Sequence, residues 1–355
     1  KEVNFLVKVG IIGFGYMGHY HYKKFKQMGE AIVTAVYDTD SSKLTEAEDL
    51  GMKAVNSLEE FLNIPDMDLV VISTPNQFHA PYAIKVLNAG KNVLCEKPAV
   101  LNAQELEEIL SVSRKTGKFF TVHHNRRWDR DYLTLKKVIA NGTIGQTVMV
   151  ESRVLGERGV VYGWRGDPTC GGGMLYDWGP HLIDQVLNLF PENKVEYVEA
   201  QLLSVLTPAV DDFVMLSLYF DNGVRANIQI GTMALQKMPR WFVYGDRGSM
   251  KLDDFTGEVG GIARIKGTVK GFDSVLGKKN LGPSRTMAPL EPENLEVLKI
   301  ETEGTDLMAY HKNIVDAVLG KAEPFVGEKD ILRETNIIDA AFKASREKRI
   351  LKVNI

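Results

Sequence analysis

The residues with the clearest chemical potential near the start of the chain form a glycine-rich turn. Gly13, Gly15 and Gly18 follow an apolar run in a GxGxxG pattern, and Asp38 lies 20 residues beyond Gly18. Such a turn lets the backbone approach a pyrophosphate, and the helix behind it offers free N–H groups to the phosphates. A carboxylate after the next strand would accept hydrogen bonds from ribose hydroxyls and repel a 2′-phosphate. A dinucleotide site, with NAD favoured over NADP, is therefore predicted on Gly13, Phe14, Gly15, Tyr16, Met17, Gly18 and Asp38.

Two alternatives to this interpretation stay open. A glycine turn also occurs in α/β units that bind no nucleotide, and Asp38 would then be a solvated loop acid. NADP is not excluded either, because Ser41 or Lys43 could receive its phosphate.

A lysine stands just after the strand-like run Asn92–Cys95, in the sequence Cys95-Glu96-Lys97-Pro98. Ligands of open α/β sheets bind outside the carboxyl ends of the strands. A lysine at such a position can hold a substrate oxygen, stabilise negative charge on it and assist proton transfer. From position alone, a surface lysine ahead of a helix-starting proline is an equally good interpretation.

Farther along, Asp177, His181 and Asp184 are spaced by four and three residues, which places them on one face of a helix. A histidine beside carboxylates can take a hydroxyl proton as a hydride leaves. Gly179 and Pro180 weaken the helix prediction beyond its first turn, so Asp177 is expected before or within that turn. The spacing alone slightly favours a capped helix start with a structural His–Asp pair over catalysis.

Other residues suggest chemistry less strongly. Adjacent residues on a strand point in opposite directions, and no cysteine or carboxylate is suitably spaced near His123 and His124, so no metal site is expected. The histidines that flank Tyr20 are expected to be packing or surface residues. The pair Arg126-Arg127 could anchor a ligand carboxylate, although an interdomain salt bridge is the favoured role.

The elements that must position these residues change in character near residue 125. Before it, short apolar runs alternate with helical patterns that end at glycines or begin at Ser57 and Asn102 as N-caps. The strand-like runs are Val7–Ile12, Ala31–Tyr37, Leu69–Ser73, Asn92–Cys95 and Phe119–His123, the last taken as a sixth strand. This alternation predicts a doubly wound parallel sheet, an α/β Rossmann domain over residues 1–125.

The remainder, residues 126–355, shows strands without alternating helices, and Asp221-Asn222-Gly223 is a hairpin turn signal. The strands are predicted at Thr147–Val154, Tyr197–Leu206, Phe213–Asp221, Val224–Gly231 and Trp241–Tyr244. We expect an α+β domain with a mostly antiparallel sheet. Gly257–Pro292 is interpreted as an irregular or variable insertion. Helices predicted at Asp306–Leu319 and Glu328–Glu347 complete the fold, and we expect them (about 306–347) to pack back on the first domain.

Composition limits the classes of protein to consider. A length of 355 residues favours two domains, and a net charge of −3 leaves no basic surplus for a nucleic-acid partner. No apolar run reaches about 18 residues, so no membrane span is expected. The first nine residues are too short and charged for a signal peptide, and Cys95 and Cys170 do not imply a disulfide framework. A cytoplasmic protein with a small-molecule partner is therefore predicted.

Several motifs occur together in a characteristic order. These are the glycine-rich turn, Thr74-Pro75-Asn76 with His79, Glu96-Lys97-Pro98, and Gly171-Gly172-Gly173 followed by Asp177 and His181. As a set they resemble the Gfo/Idh/MocA family of oxidoreductases, which includes inositol dehydrogenases and glucose–fructose oxidoreductase. The resemblance covers nearly the whole chain. Asn125-Arg126-Arg127-Trp128-Asp129 and Trp164-Arg165 also look like family segments, the first closest to members that act on inositols.

The resemblance implies an NAD-dependent dehydrogenase that acts on CH–OH groups of a sugar or polyol. Lys97 would polarise the reacting oxygen, His181 would be the general base, and Asp177 would orient the substrate or His181. Cofactor contacts would include Thr74, Pro75, Asn76, His79, Glu96 and Lys97, and further substrate contacts Asn125, Tyr162, Trp164, Arg165 and Asp184. The resemblance also implies a large open sheet that commonly forms the oligomer interface, hence a homodimer or homotetramer.

Two alternatives to that function remain. A non-catalytic regulatory protein of the same fold could bind the dinucleotide. A dehydrogenase of the same fold could act on a non-sugar substrate such as an imine, an enone-like pigment or an aromatic diol. The sequence does not identify the substrate or the direction of the reaction.

Overall fold

Two β-sheets organise the chain in the computed structural model, which describes residues 6–267 and 289–355. The first sheet has the strand order β3-β2-β1-β4-β5-β6, and its neighbouring strands are parallel. Its strands are β1 (Val7–Ile12), β2 (Ala31–Tyr37), β3 (Lys53–Val55), β4 (Leu69–Ile72), β5 (Asn92–Cys95) and β6 (Phe120–Val122). The strand order reverses between β1 and β4, which is the doubly wound arrangement.

The helices of this half begin and end where the sequence indicates. They are α1 (Tyr16–Met28), α2 (Ser41–Asp49), α3 (Leu58–Leu62), α4 (His79–Asn88) and α5 (Ala103–Thr116). The side chains of Ser57 and Asn102 cap α3 and α5, and Gly29 and Gly117 end α1 and α5 in the left-handed conformation. The three-residue strand β3 was not predicted individually, because only Val55 in it is buried and so no apolar run marks it.

The second sheet has nine strands in the order β14-β13-β12-β11-β7-β10-β9-β8-β15. They are β7 (Thr147–Leu155), β8 (Val195–Leu203), β9 (Phe213–Phe220), β10 (Arg225–Gly231), β11 (Trp241–Gly245), β12 (Gly248–Leu252), β13 (Gly260–Ile265), β14 (Leu295–Leu298) and β15 (Leu351–Lys352). Every neighbouring pair is antiparallel except β7 with β10. Buried residues alternate along β9 and β10, so one face of the sheet packs on a core. The predicted fold class is confirmed.

That core is closed by α6 (Arg130–Ala140), α7 (Met174–Leu189) and α9 (Glu328–Glu347), and α8 (Ala309–Val318) packs on the first sheet. The side chain of Ile331 in α9 belongs to the core of the first sheet, and Ile337, in the same helix, belongs to the core of the second. The division of the chain at residues 125 and 126 stays a prediction. None of the helices in the described ranges combines the length and apolarity that a membrane span requires.

Two expectations about local structure were wrong. The segment Gly257–Pro292 contains the strand β13, which is held between β12 and β14; two glycines at its start hide the strand pattern. Residues 268–288 of that segment lie outside the described residues. Helix α7 continues through Pro180 to Leu189, because its side chains are mostly buried and tertiary packing outweighs the cost of an internal proline.

Replacing Ile337 by alanine tests whether α9 is a main support of the second core. Ile337 is fully buried, so Ile337→Ala should lower the free energy of unfolding by about 2–5 kcal/mol. The exposed Lys343 of the same helix is the matched control, and Lys343→Ala should stay within about 0.5 kcal/mol of the parent chain. Urea denaturation measures both; a loss below about 1 kcal/mol for Ile337→Ala would contradict this packing.

Candidate active site

A cleft of about 780 Å³ lies at the carboxyl ends of the parallel strands. One part of its lining follows β1, β2, β4 and β5, and includes Gly13, Gly15, Tyr16, Met17, Asp38, Ser73, Thr74, Pro75, Asn76, Glu96 and Lys97. Across from these, the second part comes from later segments, with Asn125, Arg126, Trp164, Arg165, Asp177, Trp178 and His181. Most residues predicted to contact cofactor or substrate therefore line one cleft.

Glycine is required at each position of the turn for a different physical reason. Gly13 has a φ of 88°, and Gly18 packs so closely that an added Cβ would lie 2.3 Å from the backbone oxygen of Gly13. A Cβ on Gly15, in contrast, would meet no atom within 4 Å, and Gly15 faces the cleft. This open space, at the N-terminus of the thirteen-residue helix α1, fits a bound pyrophosphate.

Asp38 is held against the same turn. Its carboxylate accepts hydrogen bonds from the backbone N–H groups of Phe14, at 2.6 Å, and Asp40, at 2.9 Å. Asp38 lines the cleft, where it could also accept ribose hydroxyls, whereas Phe14 is fully buried and Gly18 does not line the cleft. Phe14 and Gly18 therefore shape the turn from within, and their predicted contact with the cofactor stays a prediction.

Three aromatic residues near this turn were not predicted as site residues. Tyr37, Phe78 and Tyr82 line the cleft, and the rings of Phe78 and Tyr82 stack with centroids 5.7 Å apart. Stacked apolar rings at a strand end can cover a flat base. No motif marks them, because they come from β2 and from the two sides of His79.

His79 does not line the cleft, in contrast to its predicted cofactor contact. Its ring is fully buried, with Nδ1 2.7 Å from the backbone oxygen of Pro98 and Nε2 2.9 Å from that of Thr74. Both nitrogens are thus occupied by the backbone. The residue ties the loop after β4 to the loop after β5, and so supports Thr74 and Lys97 indirectly.

Lys97 and Asp177 form the centre of the site. The Lys97 ammonium donates to the Asp177 carboxylate at 3.0 Å and to the Asp177 backbone oxygen at 2.5 Å. That oxygen belongs to the first turn of α7, and Pro180 in the next turn lacks the N–H that would donate to the Tyr176 backbone oxygen. The peptide bond between Lys97 and Pro98 is cis.

Asp177 is an ionised carboxylate between two cations. Burial works to raise the pKa of Asp177, but Lys97 and Arg165 outweigh it and hold that pKa below its ordinary value. The Arg165 Nε lies 3.3 Å from the same carboxylate oxygen. The contacts of Asp177 are therefore with these cations, and the sequence-based option of a structural His–Asp pair is not what the described part of the chain forms.

His181 lines the cleft with only 8% of its surface exposed. Burial first, and then the positive charges of Lys97 and Arg126, hold the pKa of His181 well below its ordinary value. Its Nδ1 is buried and has no hydrogen-bond partner among the described residues. An uncharged imidazole of this kind can accept a proton at neutral pH.

Asp184 does not line the cleft, which corrects its predicted substrate contact. Its carboxylate is 3% exposed and pairs with the guanidinium of Arg127, with an Oδ2 to Nε distance of 2.9 Å and an Oδ1 to Nη2 distance of 2.5 Å. A buried arginine with such a pair cannot release the carboxylate without leaving an uncompensated charge. Arg127 thus forms a salt bridge, but with a residue of the same predicted domain, 126–355, and not the interdomain salt bridge that the sequence favoured.

The remaining predicted substrate residues divide into two groups. Asn125, Trp164 and Arg165 line the cleft, whereas Tyr162 is 78% exposed and lies outside its lining. Tyr20, Arg126 and Trp178 line it although they were not predicted as contacts. Trp178 stands inside the motif between Asp177 and His181, so its position in the sequence could have indicated it.

A buried cluster of histidines surrounds Glu96, the residue before Lys97. The Glu96 carboxylate lies 2.9 Å from His21 Nε2 and 2.8 Å from His123 Nδ1, and His21 Nδ1 lies 3.0 Å from His311 Nε2. Burial works to raise the pKa of Glu96, but His123 and His21 outweigh it and hold that pKa well below its ordinary value. Sequence spacing did not indicate this carboxylate, because Glu96 and His123 are 27 residues apart and are brought together by the pairing of β5 with β6.

This cluster also bears on the expectation that the protein has no metal site. Ligand atoms of His21, His123 and His311 all lie within 4.8 Å of one another. Hydrogen bonds to Glu96 already use one nitrogen of His21 and one of His123. The absence of a metal stays a prediction.

Known proteins with the same sequence pattern and fold span the whole chain. A family model described as "Oxidoreductase family, NAD-binding Rossmann fold" matches residues 7–124, and the GFO/IDH/MocA C-terminal domain model matches residues 132–251. The solved structure of an NAD-binding protein from Listeria innocua is 34% identical, with a TM-score of 0.87, over 98% of this chain and 96% of that chain.

Two curated relatives match with similar coverage. The uncharacterized oxidoreductase YdgJ of Escherichia coli is 28% identical over 97% of this chain and 98% of its own length. The scyllo-inositol 2-dehydrogenase (NADP(+)) IolW of Bacillus subtilis is 27% identical over 97% of this chain and 95% of its own length.

Two glycine substitutions separate the folding role of the turn from its binding role. Gly15→Ala adds a Cβ to open space, so thermal stability should change little while the Kd for NAD rises at least about tenfold. Gly18→Ala forces a Cβ against the Gly13 carbonyl and should lower the free energy of unfolding by about 1–3 kcal/mol. Calorimetric titration with NAD and urea denaturation measure the two effects; equal NAD affinity in Gly15→Ala would contradict this assignment.

Acidification should destabilise the protein through His21. Burial, and then the nearby His123, lower the pKa of His21 from 6.5 to about 4. The unfolded chain therefore binds the proton first, and stability present above pH 6.5 is lost as the pH falls towards 4. Between about pH 7 and pH 5 this single group should account for about 2 kcal/mol.

The variant His21→Asn tests this linkage. An amide can still donate to Glu96 but does not titrate, so the difference in unfolding free energy between the two pH values should shrink by about that amount. Urea denaturation of both proteins at each pH gives the comparison. An unchanged difference in the variant would show that His21 is not the group responsible.

Proposed function

The chain belongs to the Gfo/Idh/MocA family of NAD(P)-dependent oxidoreductases, and on that premise we propose that it transfers a hydride between nicotinamide and a secondary alcohol or ketone of a sugar or polyol, such as an inositol. The observation that carries this proposal is the ion pair of Lys97 with Asp177, which lines the same cleft as the glycine turn and His181. A dinucleotide site and a proton-handling site are thereby brought together.

The dinucleotide would rest on the open side of Gly15, with its ribose hydroxyls at Asp38 and a flat base near Phe78 and Tyr82. When bound, its nicotinamide supplies the acceptor or donor of the hydride. The carboxylate of Asp38 favours NAD, because a 2′-phosphate beside it would be repelled. The relative from Bacillus subtilis is named as NADP-dependent, so both cofactors belong in any assay.

Lys97 and His181 would both act on the reacting oxygen, Lys97 on its negative charge and His181 on its proton. The ammonium of Lys97, held in place by Asp177, donates a hydrogen bond to that oxygen and stabilises the negative charge that develops on it. The uncharged His181 accepts the hydroxyl proton in the oxidation direction and returns it in the reduction direction. Asp177 positions the lysine by accepting two hydrogen bonds from its ammonium, one at the carboxylate and one at the backbone oxygen.

The choice of a sugar or polyol substrate rests on two supports. One is the segment Asn125-Arg126-Arg127-Trp128-Asp129, whose first two residues line the cleft. The other is the relative named as a scyllo-inositol 2-dehydrogenase, at 27% identity. Trp164 and Trp178 line the cleft on the side of the second sheet, and indole faces are suitable surfaces for the C–H groups of a sugar ring.

The assembly and cellular setting are also proposals. The face of the nine-stranded sheet away from its core carries half-buried side chains such as Met215, Tyr219 and Gln229, and we propose that it packs on a second copy of the chain. The two free cysteines fit a cytoplasmic setting. A role in carbohydrate metabolism follows only from the proposed substrate.

Two variants test the catalytic assignment in a screen of inositols, sugars and their keto forms with NAD and NADP. Lys97→Met and His181→Ala should each lower kcat/KM at least about a hundredfold, since each removes a group that acts on the reacting oxygen. The Kd for NAD should change less than about threefold in both. Formation of reduced nicotinamide, followed by its absorbance, and calorimetric titration measure these effects.

Lys85→Met is the matched control, because Lys85 is an exposed lysine of α4 that lies outside the cleft, and it should retain the activity of the parent chain. Unchanged turnover in Lys97→Met or in His181→Ala would defeat the assignment of that residue. Binding of NAD with no turnover across the whole panel would favour the regulatory alternative.

A further inference from the structure

The cations around the reacting groups differ in their partners, and Glu96 and Asp129 supply further carboxylates beside them. We call the residues Lys97, Asn125, Arg126, Trp164, Arg165, Asp177, Trp178 and His181 the catalytic end of the cleft. This set contains three cations, Lys97, Arg126 and Arg165. Its one carboxylate, Asp177, is already paired with Lys97 and Arg165. Arg126 is the cation of this set that makes no pair within it.

Arg126 is held in a defined orientation, and not all of its N–H donors have a hydrogen-bond partner among the described residues. Its guanidinium lies over the ring of Trp178 at 4.5 Å and over that of Phe255 at 5.2 Å. One terminal nitrogen donates to Asp129 at 2.8 Å, while Nε is buried and has no hydrogen-bond partner among the described residues. A planar guanidinium stacked in this way presents its edge as a fork that matches a carboxylate.

The neighbouring Arg127 shows what a purely structural arginine looks like in this fold. Its donors are taken by the Asp184 carboxylate, the backbone oxygen of Phe325 and the Asp330 carboxylate. Arg127 is directed away from the cleft, whereas Arg126 lines it. The sequence left two roles open for this pair, a salt bridge and a contact with a ligand carboxylate. Arg127 forms a salt bridge, and Arg126 lines the cleft, where it could contact a ligand.

The electrostatic surroundings of His181 support an anion at the same place. Lys97 and Arg126 both lower the pKa of His181, in addition to burial, and only Glu96 acts in the opposite direction among its main neighbours. A negative charge placed on Arg126 would offset this effect and make the imidazole a better proton acceptor. An anionic substrate would thus strengthen the base that its own oxidation requires.

We infer that the catalytic end of the cleft recognises a carboxylate on the substrate through Arg126, which makes a sugar acid such as an aldonic or uronic acid the favoured substrate class. This inference rests on the proposed function. The carboxylate itself does not react. At the neighbouring alcohol, the C–H bond breaks with its electron pair passing to NAD, the O–H proton passes to His181, and a C=O bond forms.

Matched pairs of acids and neutral polyols test the inference. Gluconate with glucitol, and glucuronate with glucose, differ mainly in the carboxylate. In the parent chain the acid should have at least about a tenfold higher kcat/KM in at least one pair, and Arg126→Gln should reduce that acid-to-neutral ratio between about tenfold and a hundredfold. Arg126→Lys keeps the charge but loses the fork, so its ratio should be intermediate.

Arg130→Gln is the matched control, because Arg130 is an exposed arginine four residues along that pairs with Glu258 at the surface. It should keep the parent ratio. Calorimetric titration of gluconate into the parent chain and both Arg126 variants, in the presence of reduced NAD, which cannot oxidise it, gives a second measurement that does not depend on turnover. Circular dichroism establishes that the variants are folded.

The outcomes separate the two proposals. A preference for the neutral member of both pairs, or a ratio and a gluconate Kd unchanged in Arg126→Gln, would overturn the carboxylate subsite and leave the proposed function standing. A lack of turnover with all substrates would count against the proposed function. In that case gluconate binding that weakens at least about tenfold in Arg126→Gln would still support the subsite, and binding that does not weaken would overturn it.

Discussion

The ion pair between Lys97 and Asp177 is the interaction on which the rest of the site depends. It joins the loop after β5 to the first turn of α7, and thus connects the parallel sheet to a helix of the second core. Both side chains are mostly buried, so neither charge could remain in place without the other. His181, one turn farther along α7, is brought to the cleft by the same helix.

Departures from regular structure are concentrated around this pair. Pro180 removes a hydrogen-bond donor from α7, and the neighbouring carbonyl of Asp177 accepts the Lys97 ammonium. Glu96 carries a buried charge directly before the lysine, and two imidazoles compensate it. His79 fixes the two loops on either side through backbone oxygens. A proline, a buried carboxylate and a fully bonded histidine therefore each stabilise a geometry that the backbone alone would not adopt.

The sequence could predict those parts of the molecule that depend on local patterns. The glycine turn, the capped helices and the buried strands of the first sheet all follow from residues close together in the chain. The strands β3 and β13 depend on pairing with neighbours, and the passage of α7 through Pro180 depends on burial, so local patterns did not indicate them. Long-range contacts decided the roles of individual residues: Asp184 pairs with Arg127, and Glu96 contacts His21 of α1 and His123, the residue after β6.

Helix α9 has a consequence for the movement of the two sheets relative to each other. Ile331 and Ile337 lie fewer than two turns apart, yet one is embedded beneath the first sheet and the other beneath the second. Because α9 is packed in both cores, it restrains the two sheets from moving apart. Movement of the two layers relative to each other would therefore require Ile331 or Ile337 to leave its core.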